Sequence, residues 1–316
     1  SQSEKDMLKR LYSETKLKSE KFIGFLLCLN FDDCGTNIRA IQSSEVIQKL
    51  RLWGNTDLKS DYNDLIMFIN KQMTPEAQNS EPIDKYSVLG TFSQTEDLMF
   101  PAQSHIFHVK DYVERDIASE ISEKIINGRD QYLCLHSSGG MGKTTVIDNL
   151  EKKLPEGSVV LTYDCYGGGG YLDPSTPRHT YKKAIYQLCN DLALRCSTPF
   201  LLGRGLDSSE LLEQFFIRIN EAIKVIQDHN PKAFLIIVLD ALDNSYEASM
   251  LNNDKNFADR LLKIRIPENI SFLVTARTER LSNLNLPKNF NYLKLGGKRK
   301  IDHTFKLMQP LCYHLS

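Results

Sequence analysis

Residues 137–145 have the sequence Ser-Ser-Gly-Gly-Met-Gly-Lys-Thr-Thr and separate an apolar run at 132–135 from a helix-like segment at 146–150. A tight turn from a strand into a helix exposes several backbone N–H groups at the positive end of the helix dipole, and these groups form a concave seat for polyphosphate. Glycines suit such a turn because bulkier side chains would block the seat. The stretch therefore has the pattern of a Walker A loop.

The residue types in this loop have distinct expected tasks. We expect Lys143 to reach the outer phosphates as a point charge and the Thr144 hydroxyl to ligate the Mg²⁺ that accompanies ATP. Ser137 departs from the pattern G-x-x-x-x-G-K-[ST], whose first position is glycine. A Gly-rich turn that arises by chance is the alternative, and Gly-Lys-Thr so soon after an apolar run disfavours it. The predicted nucleotide-binding residues here are Gly139, Gly140, Met141, Gly142, Lys143, Thr144 and Thr145.

Short apolar runs separated by helical stretches predict the fold class. Strands that alternate with helices pair in parallel, which indicates an α/β sandwich of three layers. Ligands of such sheets bind outside the carboxyl ends of the strands, and the Walker A loop lies at that end of its strand. An amphipathic helix is predicted at 111–127, with Gly128 as its C-cap. The predicted strands are 132–135, 159–163, 234–239, 272–275 and 292–295.

The third predicted strand, at 234–239, is followed directly by the carboxylate of Asp240. A buried charge is costly unless it meets a cation, so Asp240 is predicted to be the Walker B acid and to share Mg²⁺ with Thr144. Asp243 has two interpretations. It orients or polarises the attacking water, or it caps the next turn together with Asn244.

Arg277 follows the fourth predicted strand in the sequence Thr-Ala-Arg. If that strand lies beside the Walker A strand, Arg277 emerges near the γ-phosphate. A cation there distinguishes ATP from ADP and stabilises the charge that develops in phosphoryl transfer. A surface arginine after a strand is the alternative. The predicted catalytic residues are Asp240, Asp243 and Arg277.

A second Gly-rich segment lies at 167–170, within Asp-Cys-Tyr-Gly-Gly-Gly-Gly-Tyr-Leu-Asp-Pro at 164–174. It could be a second phosphate-contacting loop or a hinge. Because no Lys-Ser/Thr pair follows, we favour a conformational element near the nucleotide over direct phosphate binding. Arg178 and His179, just beyond it, are expected to make only surface contacts.

The composition is that of an ordinary globular protein. Of 316 residues, 41% are hydrophobic and 25% are charged, and the net charge of -1 predicts no strong bulk attraction to nucleic acid or membrane. The seven cysteines include no CxxC pair and are odd in number, which favours reduced thiols in a cytoplasmic protein. We expect neither a signal peptide nor a membrane span. The basic triplet at 298–300 is interpreted as a solvated face, so any nucleic-acid contact is expected to be indirect.

The motifs Ser-Ser-Gly-Gly-Met-Gly-Lys-Thr-Thr, Val-Leu-Asp-Ala-Leu-Asp and Thr-Ala-Arg follow one another in this order, and together they resemble the STAND class of P-loop NTPases. That class includes the NACHT and apoptotic-ATPase switches. The segment at 163–174 is similar to bacterial members, many of them sensors in antiphage defence. The resemblance covers residues 109–297 and implies a P-loop NTPase domain with a five-stranded parallel sheet of order 5-1-4-3-2.

The resemblance also implies a mode of action. Members combine an effector, an NTPase and ligand-sensing repeats, and ATP binding gates an oligomerisation that switches the effector on. Arg115, in Tyr-Val-Glu-Arg-Asp-Ile at 112–117, matches an upstream arginine that often contacts the nucleotide. Asn244 stands where related sequences often have a second acid, which implies slow hydrolysis.

The chain is expected to consist of three parts. We expect a mainly helical spacer or linker domain at 1–108, the P-loop NTPase domain at 109–297 and a truncated tail at 298–316. The predicted function is an ATP-binding, slowly hydrolysing switch that forms homo-oligomers on activation, with effector and sensor domains or proteins outside this chain. The alternatives are an AAA+-like remodeller or loader with steady ATP turnover and a scaffold that retains nucleotide without hydrolysis.

Overall fold

The computed structural model describes residues 95–108, 115–196, 198–201 and 205–296. Five strands form one parallel sheet in the order β2-β3-β4-β1-β5, which is the implied order 5-1-4-3-2 read from the other edge. All five strand predictions and the α/β class are therefore confirmed. The predicted helical domain up to residue 94 and the tail at 298–316 with its basic triplet lie outside the described residues. The strands are β1 Tyr132–Ser137, β2 Val159–Asp164, β3 Leu235–Asp240, β4 Ile270–Arg277 and β5 Asn291–Lys294.

Helices connect β1 to β2, β2 to β3 and β3 to β4, as parallel pairing requires, whereas only a 3₁₀ turn lies between β4 and β5. Short 3₁₀ turns at Glu151–Lys153, Gly167–Leu172 and Thr278–Asn283 complete the described structure. The helices are α1 Glu96–Met99, α2 Asp116–Ile126, α3 Lys143–Asp148, α4 Tyr181–Cys196, α5 Ser208–His229, α6 Leu242–Leu251 and α7 Ala258–Leu261.

The sheet lies between two apolar cores because side chains alternate between its faces. Along β1, Leu133 and Leu135 pack with α2 and α3, whereas Cys134 between them packs with α4, α5 and α6. Every residue of β3 is buried, as expected for a central strand covered on both faces. Burial on both faces fixes the register, so the carboxyl ends of β1, β3 and β4 are held side by side.

The α2 helix ends one residue earlier than predicted. Its described span ends at Ile126, and Asn127 rather than Gly128 is the C-cap. The Gly128 N–H donates to the Glu123 carbonyl oxygen at 3.3 Å, and a Cβ at Gly128 would lie 2.8 Å from the Lys124 carbonyl oxygen. Glycine is thus required by close packing just after the cap.

The segment 95–108 lies against the α/β domain. The Asn190 side chain donates to the Met99 carbonyl oxygen at 2.8 Å, and the Ala102 N–H donates to Gln187 Oε1 at 2.9 Å. Both side chains belong to α4 and are buried. These buried side-chain amides form the hydrogen bonds that the backbone of the segment needs. They therefore hold the segment close to α4.

Arg178 and His179 are buried, so the expectation of surface contacts is wrong. Their exposed fractions are 6% and 1%. Arg178 Nη1 donates to the carbonyl oxygens of Ala102 and Asp164, at 3.2 and 2.8 Å. A Cβ at Gly167 would lie 2.1 Å from Arg178 Nε. The guanidinium occupies space that this glycine leaves free and joins the 95–108 segment to the end of β2.

Two properties of the described residues bear on the sequence-based expectations. Cys134, Cys165, Cys189 and Cys196 are buried free thiols. None of the described helices combines the length and apolarity that a transmembrane span needs.

Candidate functional site

The loop between β1 and α3 has the backbone geometry that its glycines predict. Gly140 and Gly142 have φ angles of 71° and 86°, in the left-handed region that other residues rarely adopt. A Cβ at Gly139 or at Gly140 would meet no atom within 4 Å among the described residues, so the space over the loop is open. The loop therefore presents its backbone, rather than side chains, at the carboxyl end of β1.

The α3 helix begins earlier than predicted, at Lys143 instead of 146. Lys143, Thr144 and Thr145 are thus its first three residues. Met141 is half-buried and packs against the core under α2 and α3. Thr145 lies in the first turn of α3, where its carbonyl oxygen accepts a hydrogen bond from the Asn149 side chain at 3.0 Å.

The Lys143 ammonium group lies over the start of the loop. Its Nζ donates to Ser137 O at 3.1 Å, to Ser137 Oγ at 3.2 Å and to Ser138 O at 3.1 Å. Burial lowers the pKa of Lys143, and the nearby carboxylates of Asp243 and Asp240 oppose this effect. The Ser137 hydroxyl, which replaces the first glycine of the pattern, is one of the groups that hold this lysine.

Thr144 and Asp240 come together at the ends of α3 and β3. The Thr144 hydroxyl donates to Asp240 Oδ2 at 2.8 Å, and the Thr275 hydroxyl donates to Asp240 Oδ1 at 2.5 Å. Asp240 is 3% exposed, and burial raises the pKa of its carboxyl, while the two hydroxyl hydrogen bonds lower it. Threonine and aspartate oxygens are ligands that Mg²⁺ accepts, and Mg²⁺ normally takes its other oxygens from phosphate and water. These two residues fit such an ion.

Thr275 was not predicted as part of the site. Its hydroxyl also accepts a hydrogen bond from the Ala241 N–H at 2.7 Å, and Ala241 has a left-handed φ of 55°. One buried threonine on β4 thus fixes both the Asp240 carboxylate and the backbone after it. A hydroxyl among the apolar residues of a predicted central strand was the signal that could have identified it.

Asp243 and Arg277 form an ion pair between α6 and the end of β4. The Arg277 N–H donates to Asp243 Oδ1 at 3.3 Å, and Arg277 Nε lies 3.5 Å from Asp243 Oδ2. Burial raises the pKa of the Asp243 carboxyl, and Arg277 lowers it. The N-cap of α6 is Ala241, and the Asn244 side chain accepts from Arg277 Nη2 at 3.0 Å. Arg277 pairs in register with Ser137, so this cluster adjoins the loop.

Three further residues extend this cluster and were not predicted. Arg280 Nη1 lies 3.6 Å from Asp243 Oδ2 and donates to Glu247 Oε2, and the Tyr171 hydroxyl donates to the same oxygen at 2.9 Å. Tyr171 directly follows the second Gly-rich segment, so that segment is linked to the cluster. Glu247 lies one helical turn after Asp243 on α6, and that spacing was a signal in the sequence.

Arg115 lies beside the loop, although it is distant in sequence. A Cβ at Gly142 would be 3.9 Å from Arg115 Nη2. Arg115 Nη1 is buried and finds no hydrogen-bond partner within the described ranges. A buried guanidinium nitrogen without an acceptor is costly, so its position next to Gly142 suits an anionic ligand.

A cleft of 680 Å³ is lined by residues of α3, of β2 and of the segment 104–108, and Thr144 is one of them. Its walls carry acidic and basic side chains, namely Asp148, Glu151, Asp191 and Arg195. Arg195 Nη2 pairs with Glu151 Oε2 at 2.8 Å. Burial raises the pKa of Asp191 to about 6. Thr144 lines this cleft, whereas Lys143, Asp240 and Arg277 are not among its lining residues.

Comparisons with known proteins add little to this geometry. No protein-family model matches the chain, and no curated protein matches it. Among solved structures it is similar to C. elegans PCH-2, with 14% sequence identity and a TM-score of 0.24. The match covers 57% of this chain and 40% of the PCH-2 chain. At this TM-score the similarity assigns neither a family nor an activity.

Proposed function

We propose that the chain binds Mg-ATP at the loop between β1 and α3. The observation that carries the proposal is the 2.8 Å hydrogen bond between Thr144 and the buried Asp240, directly beside Lys143. Mg²⁺ carried with the nucleotide would supply charge neutralisation at the phosphates. Thr144 and Asp240 would hold that ion, and Lys143 would exchange its loop oxygens for phosphate oxygens.

Among the described residues, nothing fills the space over Gly139 and Gly140, and Arg115 Nη1 has no hydrogen-bond partner; both observations support the fit to a polyphosphate. Three cationic side chains, Lys143, Arg277 and Arg115, approach the loop from different elements. A polyphosphate carries several negative charges, so it can pair with more than one of these cations at once. This convergence favours a nucleoside triphosphate over a single carboxylate ligand.

We further propose that hydrolysis is slow and serves a switch of the STAND type. Asp243 is the residue that would accept a hydrogen bond from the attacking water, and it is also paired with Arg277. A terminal phosphate would compete for Arg277, so the ion pair would depend on which nucleotide is bound. Such dependence suits a nucleotide-gated assembly with effector and sensor parts, as in antiphage defence.

The test is a thermal shift with Mg-ATP for the wild type and for Lys143→Ala. At a nucleotide concentration ~100-fold above the dissociation constant, binding stabilises the folded state by about 2.7 kcal/mol, so the wild type should show a shift of several degrees. Lys143→Ala should show none. Lys263 is an exposed lysine just after α7, so Lys263→Ala removes the same charge and should keep the full shift. A full shift for Lys143→Ala would contradict the proposal.

A further inference from the structure

Asp243 has one carboxylate oxygen, Oδ2, that is buried yet receives no hydrogen bond from any described residue. The Asp243 side chain is 1% exposed. The guanidinium nitrogens beside it are Arg277 Nε at 3.5 Å and Arg280 Nη1 at 3.6 Å, both too distant for a good hydrogen bond. A buried carboxylate oxygen normally forms a hydrogen bond with a nearby guanidinium. Leaving such an oxygen without a hydrogen bond costs more free energy than a formed hydrogen bond contributes.

Arg280 contacts Glu247 more closely than it contacts that oxygen. Arg280 Nη1 donates to Glu247 Oε2, and it also reaches Asn244 Oδ1 at 3.3 Å. The Tyr171 hydroxyl donates to the same Glu247 oxygen at 2.9 Å and so fixes where the carboxylate lies. The Arg280 guanidinium is therefore shared between two acids, and the geometry favours Glu247.

We propose that Glu247, oriented by Tyr171, is a positioning residue that keeps Arg280 off Asp243 Oδ2. When Arg277 leaves Asp243 for the terminal phosphate, this oxygen is uncovered and accepts a hydrogen bond from the attacking water. This inference rests on the proposed function, because it assigns a role in hydrolysis at the same site. It also gives the second Gly-rich segment a structural role, because Tyr171, which follows that segment, binds Glu247, and Glu247 binds Arg280.

The charges of the cluster explain why Arg280 would move to Asp243 if Glu247 lost its charge. Asp243 and Glu247 balance Arg277 and Arg280, so these four residues carry as many negative as positive charges. Without the charge of Glu247, two guanidinium groups would face Asp243 alone. Arg280 would then close the 3.6 Å gap, occupy Oδ2 and leave the carboxylate a weaker acceptor for water.

The experiment compares Mg-ATP affinity and the single-turnover rate of phosphate release in four proteins: wild type, Glu247→Gln, Tyr171→Phe and Tyr246→Phe. Glu247→Gln keeps the shape and removes the charge, and we expect the rate to fall about tenfold while the dissociation constant changes less than about twofold. Tyr171→Phe should lower the rate about threefold. Tyr246→Phe is the matched control, because the Tyr246 hydroxyl donates to a different carboxylate, Asp259, at 2.8 Å. Its rate should stay at the wild-type value.

A second variant distinguishes positioning from a loss of structure. If Arg280 occupies Asp243 Oδ2 once Glu247 is neutral, then adding Arg280→Gln to Glu247→Gln should restore most of the lost rate. A further fall in the double variant would overturn the inference. A wild-type rate in Glu247→Gln would overturn it too, as would a wild type that binds Mg-ATP and releases no phosphate. All of these outcomes leave Mg-ATP binding intact and overturn only the role of Glu247. If the wild type does not bind Mg-ATP at all, the proposed function itself fails.

Discussion

Thr275→Val is the substitution that tests the Asp240 geometry most directly. Valine has nearly the same shape as threonine, so the change removes one hydroxyl and little else. That hydroxyl is fully buried, donates to Asp240 Oδ1 at 2.5 Å and accepts from the Ala241 N–H at 2.7 Å. Its removal leaves the buried Asp240 oxygen and the part-buried Ala241 N–H without these partners among the described residues.

The expected cost follows from these two groups. An unsatisfied buried polar group costs about 1–3 kcal/mol, and one of the two groups here is a carboxylate. The added methyl group recovers up to about 1 kcal/mol of apolar burial. We therefore expect the free energy of unfolding to fall by about 3 kcal/mol. For a domain of this size, that corresponds to a melting temperature ~6–12 °C lower.

Thermal scans without nucleotide measure this effect, and Thr275→Ser is the control. Serine keeps the hydroxyl and loses one methyl group, so its cost should be about 1 kcal/mol. If the valine variant proves as stable as the serine variant, the Thr275 hydroxyl does not hold Asp240 and the geometry assigned to the site is wrong.

Two further substitutions test neighbouring features. Burial raises the pKa of Asp240, so the stability of the wild type falls as the pH rises through that pKa. Asparagine cannot ionise and avoids this loss. Asp240→Asn should therefore raise the melting temperature without nucleotide. The difference between the two proteins should widen from acidic to neutral pH in thermal scans, and a constant difference would contradict this. Gly167→Ala should cost about 2–4 kcal/mol in the free energy of unfolding, because its Cβ would lie 2.1 Å from Arg178 Nε and φ is 58°. Gly170→Ala, which meets open space among the described residues, should stay within about 0.5 kcal/mol of the wild type in chemical denaturation, and equal costs would refute the packing argument.

The sheet could be predicted because its strands carry their own signal. A parallel strand covered on both faces is a continuous apolar run, and β3 is such a run that ends in a carboxylate. The strand order did not come from these runs. It came from the resemblance carried by three short motifs, and the pairing of β1 with β4 agrees with it.

The contacts of the site were only partly predictable. Thr144 and Asp240 could be paired in advance, since each belongs to a motif with a known spacing. Glu247 and Tyr171 could not, because they are 76 residues apart and meet only through the packing of α6 against the turn after β2. Arg178 was misjudged for the same reason: its partners are backbone groups remote in sequence, and a charged residue before a helix is usually exposed.

Ser137 is where the sequence departs from the Walker A pattern, and the structure explains why the departure does not disturb the loop. Ser137 is the last residue of β1 and pairs with Arg277, so its backbone is extended and accommodates a Cβ. The left-handed conformations that require glycine occur later, at Gly140 and Gly142. The serine hydroxyl accepts a hydrogen bond from Lys143 Nζ at 3.2 Å, which a glycine could not offer. The substitution therefore adds a partner that phosphate must displace, and we expect it to weaken nucleotide binding slightly rather than to prevent it.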